Sequence, residues 1–402
     1  SLESLASYST SYEYTDIISG DMWAPSKVAS AGTDNIDVFN YCLILSTITV
    51  AEGNASYGMI DGVLYGKNAE TGVIDTLYFS PMNNPGTDGK IMIPATVTDI
   101  KDRAFINNQK ITVVDFEDRT GSATLTIGSS LFYSATNLVE VTLPSGLTEI
   151  PERMFNGASL KTIFIPNTVT SIGEGAFYNC SALTEVVFEE GGSDPLVLAD
   201  GTRSSSGSGS SEMTYYYGVF AGCSSLKEIA LPERTTEIGD YAFYKAYNTV
   251  YGDGSAAGLV SVTIPSTVTR IGEYAFSVPT LKDVAFTSGG SAELAIERYA
   301  FSQSAIEVLN LSENVVSIGE RAFYRNANMT AVNFPASLKT IDQYAFNENK
   351  VLAEVSFAEN CMLESIGVGA FKTCTAFVSL NLENCTSLTE IRSEERRVGK
   401  EC

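Results

Sequence analysis

One pattern, LxxIxIPxxVTxIGxxAF, recurs along most of this 402-residue chain. A pattern of fixed period restricts the fold to architectures in which near-identical turns stack on one another. Residues 160–177 carry it through Leu160, Ile163, Ile165, Pro166, Val169, Ile172, Gly173, Ala176 and Phe177. Residues 259–276 repeat it through Leu259, Val262, Ile264, Pro265, Val268, Ile271, Gly272, Ala275 and Phe276. The closing Phe returns at 105, 132, 155, 177, 220, 243, 276, 301, 323, 346 and 371, with a dominant step near 23 and two long steps of 43 and 33. A twelfth unit runs from Phe377 to Ile391 without its Ala-Phe.

Each position has a physical task. The alternation in Ile163-Phe164-Ile165 is that of a short strand with one face buried. Pro at 94, 144, 166, 232, 265 and 335 cannot donate to a ladder and ends the strand. Val169 and Ile172 turn inward again, and Ala-Phe fills the outer wall. Gly at 128, 173, 239, 272, 319 and 367 suits a tight corner with positive φ. No unit can bury its own apolar face, so stacking must build the core. The fold expected is a β-rich repeat solenoid of about 12 units, roughly 58 Å long at ~4.8 Å per rung. It is one elongated array, although the length alone suggests several domains.

Composition removes many functions. The chain has no histidine, so a His-based triad, a His-ligated zinc, a HExxH protease and an axial-His haem are excluded within these residues. With 25 Lys+Arg against 48 Asp+Glu the net charge is −23, which disfavours nucleic acid as a partner. No GxSxG elbow or phosphate loop occurs, and no carboxylate pair stands out as an acid and base. No catalytic residue, cofactor or metal site is therefore assigned. The most apolar run, 41–51, is too short to span a membrane and reads as a strand or two within an N-terminal cap over 1–57 that also holds Trp23.

The template resembles the BspA-like leucine-rich repeats, a family of surface proteins of anaerobic bacteria and parasitic protists. The resemblance covers about 58–391, and Ile60-Asp61-Gly62-Val63 with Leu77-Tyr78-Phe79 fits the hairpin that often precedes such repeats. The unit ending at Phe132 is diverged around Asp115–Gly121. The resemblance implies a concave parallel sheet, an extracellular or cell-surface location, and adhesion to a protein or glycan ligand, host matrix proteins among them. A passive spacer presenting a neighbouring module is the alternative.

Outward positions on the expected concave sheet form two columns. One holds Thr142, Phe164 and Val187; its neighbour is acidic at Glu140, Glu185, Glu228, Asp283 and Glu354 and would suit a basic partner or a cation. Insertions at 191–218 and 244–258 carry Tyr215, Tyr216 and Tyr217, then Tyr247 and Tyr251, among Ser and Gly, a composition that binding loops use. Gly/Ser runs also serve as plain linkers. Cys180 and Cys223 sit three residues after the repeat Phe, as does Cys374, while Cys361 and Cys385 each follow an Asn. Stacked equivalents read either as a buried thiol column or as disulfides, Cys180–Cys223 and Cys361–Cys385, which an extracellular location permits. Residues 392–402 break from the repeat and resemble a translated sequencing adapter; without them 21 basic and 45 acidic residues remain.

Overall fold

A computed structural model describes residues 42, 44–119, 124–206, 213–249 and 256–393. Trp23, Tyr251 and residues 394–402 lie outside the described residues, as does most of the expected cap. The described chain is a β-solenoid of about 13 turns with no helix among the described residues.

Each regular turn contributes two short strands. The first, typified by Thr162–Ile165, joins a front sheet in which residues alternate between exposed and buried. The second, typified by Ser171–Ile172, joins a side sheet. Pairing between turns is parallel and in register: Ile163 lies opposite Val186 and Ile172 opposite Ile150. The side sheet runs through ten strands from Glu149–Ile150 to Glu390–Ile391. Before it, Asp99–Ile100 and Thr126–Ile127 continue the same stacking onto Ile74–Phe79. An antiparallel hairpin, Tyr57–Ile60 with Val63–Lys67, covers that end and shields the open strand edge. Asp61 and Gly62 both have positive φ, 49° and 75°, which a two-residue hairpin turn requires. The run 44–51 forms no strand. Ile44 is 93% exposed, so its apolar character does not serve the core.

The interior is one continuous apolar column. Its spine is the repeat Phe: rings from Phe105 to Phe371 stack at centroid spacings of 5.0 to 5.5 Å. Such aromatic pairs add ~0.5–1.5 kcal/mol each beyond the burial itself.

The corner glycines differ from expectation. None of Gly128, Gly173, Gly239, Gly272, Gly319 and Gly367 has positive φ. They are needed because consecutive rungs approach closely: a Cβ on Gly173 would lie 2.6 Å from the Glu152 amide nitrogen, and one on Gly272 2.5 Å from that of Asp240. The left-handed conformation falls instead on the residue before Ala-Phe, as in Arg103, Tyr241, Tyr274, Tyr299, Arg321 and Tyr344, and on Arg153 before Met154-Phe155.

The first insertion is also shorter than 191–218. Leu196–Leu198 is a side-sheet strand between Ile172 and Ile238, with Leu196 and Leu198 fully buried. The true insertion is the hairpin Arg203–Ser206 with Met213–Tyr216. The second is the hairpin Tyr247–Thr249 with Ala256–Gly258. Three turns lack the Pro corner, those following Phe116, Phe188 and Phe286, and a polar side chain fills in for each. Arg119 Nη1 donates to the Ala95 and Val97 carbonyls at 2.9 and 2.7 Å. Arg234 Nη1 donates to Val169 O at 2.5 Å, and Asn314 Nδ2 to Ser266 O at 3.1 Å.

Candidate functional site

Exact register turns single sequence positions into surface columns. On the front sheet Thr162 faces Glu185, Glu228 faces Ser261, Ser261 faces Asp283, and Ala331 faces Glu354. The five acids expected on this face, Glu140, Glu185, Glu228, Asp283 and Glu354, are exposed. None has a cation within 4.0 Å among the described residues, although ten ion pairs occur elsewhere. The column opens on Lys90, opposite Val113 and two rungs before Glu140, which the sequence did not associate with it. In the adjacent column Phe164 lies opposite Val187, 52% and 38% exposed. Farther along, Asn333 Nδ2 donates to Asn310 Oδ1 at 2.6 Å and Ser356 Oγ donates to Asn333 Oδ1, a polar ladder over three rungs. The face therefore grades from an apolar and acidic segment to a neutral amide one.

The opposite corner, just before Ala-Phe, carries a tyrosine ridge that sequence reasoning missed. Tyr241 and Tyr274 stack at 5.6 Å and 8°, Tyr274 and Tyr299 at 4.6 Å and 6°. Tyr244 meets both Tyr241 and Tyr274 edge-on, at 5.7 and 5.9 Å. The Arg321 guanidinium continues the row between Tyr299 and Tyr344, at 5.7 and 4.9 Å from their rings. The signal was the residue before Ala-Phe, where Tyr alternates with Arg and Gly in the sequence and so reads as variable. Gly175 and Gly369 show that the left-handed site accepts glycine. A non-glycine residue there costs about 1 kcal/mol.

The hairpin tyrosines join this ridge. Tyr216 lies 4.5 Å from Tyr244 and 5.1 Å from Tyr241, and the Lys245 ammonium sits 5.7 Å over its ring. Tyr217 packs 4.9 Å from Tyr178 under the Arg153 guanidinium at 4.5 Å, and Tyr215 lies 6.1 Å from Tyr217. Tyr247 is half-buried against the core. At the base of the hairpin Arg270 bridges Asp200, at 2.7 Å, and Asp240. Burial pushes the Asp200 carboxyl upward, but hydrogen bonds from Arg270 and from the Asp240 amide outweigh it and hold the group below its ordinary value. Burial next to neighbouring tyrosines raises Tyr244 and Tyr241, and Tyr274 is pushed up to about 12, again chiefly by burial.

The cysteines in the described residues are free thiols. Cys180 Sγ donates to Phe155 O at 3.0 Å, Cys223 Sγ to Phe177 O at 3.1 Å and Cys374 Sγ to Phe346 O at 3.2 Å. Ser304, Asn326 and Asn349 do the same for Phe276, Phe301 and Phe323. The position three residues after Phe is thus a carbonyl cap that thiol, hydroxyl or amide can fill. Burial pushes Cys180 up to about 12 and Cys374 up to about 11. Burial, with Cys361 beside it, pushes Cys385 up to about 12. No group of three or more ligating side chains suits a metal ion among the described residues. No helix among them is long and apolar enough to cross a membrane.

The model of the BspA type leucine-rich repeat region matches residues 87–193, 213–289 and 253–378 in six copies, more than half of the chain. No curated protein sequence matches. Among solved structures, a leucine-rich repeat protein from Bacteroides ovatus is 19% identical over 84% of this chain and 90% of its own, with a TM-score of 0.51. A leucine-rich cell surface protein from Faecalibacterium prausnitzii is 18% identical over 85% of this chain and 87% of its own, with a TM-score of 0.34. The pneumococcal vaccine antigen PcpA is 13% identical over 85% and 94%, with a TM-score of 0.33. At these identities the first supports a shared solenoid fold and the other two carry no further argument.

Proposed function

The chain belongs to the BspA-type leucine-rich repeat family, and we propose on that premise that it is a cell-surface protein-binding scaffold that mediates adhesion through its front sheet and tyrosine-bearing hairpins. The observation that carries this reading is the column of exposed, unpaired carboxylates beside Phe164 and Val187. Paired surface charges have little left to offer a ligand, whereas unpaired ones keep their field for an incoming partner. The matching partner is a basic protein segment with an apolar anchor. The acids steer and orient it, and Phe164 and Val187 supply area that water leaves on contact. Host matrix proteins with exposed basic segments fit this description. The role is binding, with no chemical step assigned.

The test measures attachment of the intact chain to an array of matrix proteins and glycans, alongside Phe164→Ser combined with Glu185→Lys and Glu228→Lys. Attachment to basic proteins that weakens at least ~10-fold in the variant and falls with rising salt supports the reading. Attachment that the variant leaves unchanged overturns the front sheet as the contact face. Attachment by neither chain favours the spacer.

A further inference from the structure

We propose that the ridge formed by Tyr241, Tyr274 and Tyr299, with Tyr244 and Arg321 beside it, is a docking track for an uncharged, proline-rich segment in the polyproline II conformation. Three features of the ridge select this ligand. First, Tyr274 has a parallel ring on each side, at 5.6 and 4.6 Å. Its faces are taken, so ligands that bind by stacking, such as sugar rings and nucleobases, find no platform there. What remains is a row of ring edges and phenol groups.

Second, the hydroxyls of Tyr241 and Tyr274 make no hydrogen bond to any described residue, nor does that of Tyr299, and none of the three is a buried unsatisfied atom. Burial raises Tyr274 to about 12, so its phenol keeps its proton and can donate. A polyproline II segment has the opposite character: its carbonyls lack internal partners, and proline has no N–H. The cations beside Tyr274 and Tyr299 are already engaged within the ridge, Arg298 with Glu273 at 3.0 Å and Arg321 with Glu320, while the Lys245 ammonium lies over the Tyr216 and Tyr244 rings at 5.7 and 5.5 Å.

Third, the periods agree. Three polyproline II residues advance ~9.3 Å, and two stacked rungs advance ~9.6 Å. One side of the ligand would therefore meet the same ridge feature at every second rung. Aromatic-lined surfaces that bind preformed polyproline II segments use the same low ordering cost.

The experiment titrates the full chain with a synthetic proline-rich peptide, a Gly/Ser peptide of equal length and a neutral oligosaccharide, read by tyrosine-ring NMR shifts and surface plasmon resonance. The expected result is saturable binding of the proline-rich peptide alone, weakened at least ~10-fold by Tyr274→Gly with Tyr299→Gly at an unchanged melting temperature. No binding of the proline-rich peptide, equal binding of the Gly/Ser peptide, or shifts with the oligosaccharide alone would overturn the proposal. If the glycine variant melts early, Tyr241→Phe with Tyr274→Phe and Tyr299→Phe keeps the rings and removes the phenols. Affinity undiminished in that variant overturns the proposal as well. Substitutions at Glu185 and Glu228 should leave this binding untouched, which separates it from the front-sheet reading.

Discussion

The front sheet and the tyrosine ridge are cut from the same rungs, yet they treat stacking in opposite ways. Along the acidic column of the front sheet, like charges are stacked and left exposed: Glu185 and Glu228 occupy successive rungs with no cation within 4.0 Å among the described residues. Along the ridge the rings and guanidinium groups are matched, ring on ring or guanidinium on ring and carboxylate, and only the phenol hydroxyls are left for a partner. The same lattice gives one face with unspent electrostatic capacity and another whose charges are internally balanced. The first suits a charged partner reached through a long-range field; the second suits a neutral one held by shape and donors.

If both faces hang from one shared interior, damage to that interior should fail both together. Phe243→Ala, in the middle of the Phe column, should cost ~3–5 kcal/mol and lower the melting transition of the whole array. A denaturant titration in which only the local rungs melt would show that the faces are independent. Gly239→Ala puts a methyl against the Ala199 carbonyl at the corner between the faces. It should cost ~1–3 kcal/mol, read as a lower urea midpoint at an unchanged slope. If the loss is absent, the corner is looser than the close approach implies.

The smallest effect concerns charge balance at the hairpin base. The folded Asp200 carboxyl lies below its ordinary value, so its contribution is present above the unfolded pKa and is lost as pH falls through the folded one. Acidification should therefore lower the hydrogen-exchange protection factor of the Asp240 amide, which donates to Asp200 Oδ1 at 3.0 Å, before the array melts. The buried thiols give a parallel check. Cys180 and Cys223, whose acidity burial suppresses, should resist iodoacetamide at pH 8 until denaturant is added. Rapid labelling in the native protein would contradict their role as carbonyl caps.

The periodic part of this architecture was legible in the sequence because it rests on burial: Ile163, Ile165, Ile172 and Phe177 announce the core through spacing alone. The acidic column and Phe164 were legible for the same reason, once strand alternation was known. What spacing hides is contact between rungs. Gly173 and Gly272 look like residues chosen for their backbone angles, and only the neighbouring turn reveals them as spacers. Tyr241, Tyr274 and Tyr299 look like a variable surface position until register lines them up. Cys180, Ser304 and Asn326 look unrelated, because a shared acceptor is a geometric fact that residue type does not disclose. Leu196 and Leu198 read as part of an insertion because their loop abandons the Pro corner while keeping its buried positions.

The carbonyl caps have a consequence for how such proteins change over time. Each cap along the Phe column satisfies an acceptor in the rung stacked against its own, and no cap reaches across the column to a distant rung. A rung gained or lost as a complete unit leaves every remaining donor with an acceptor, whereas a partial rung strands one in the interior. Unequal recombination between near-identical repeats is thereby filtered in whole-unit steps. The length of the array can drift freely while the surface columns stay in phase.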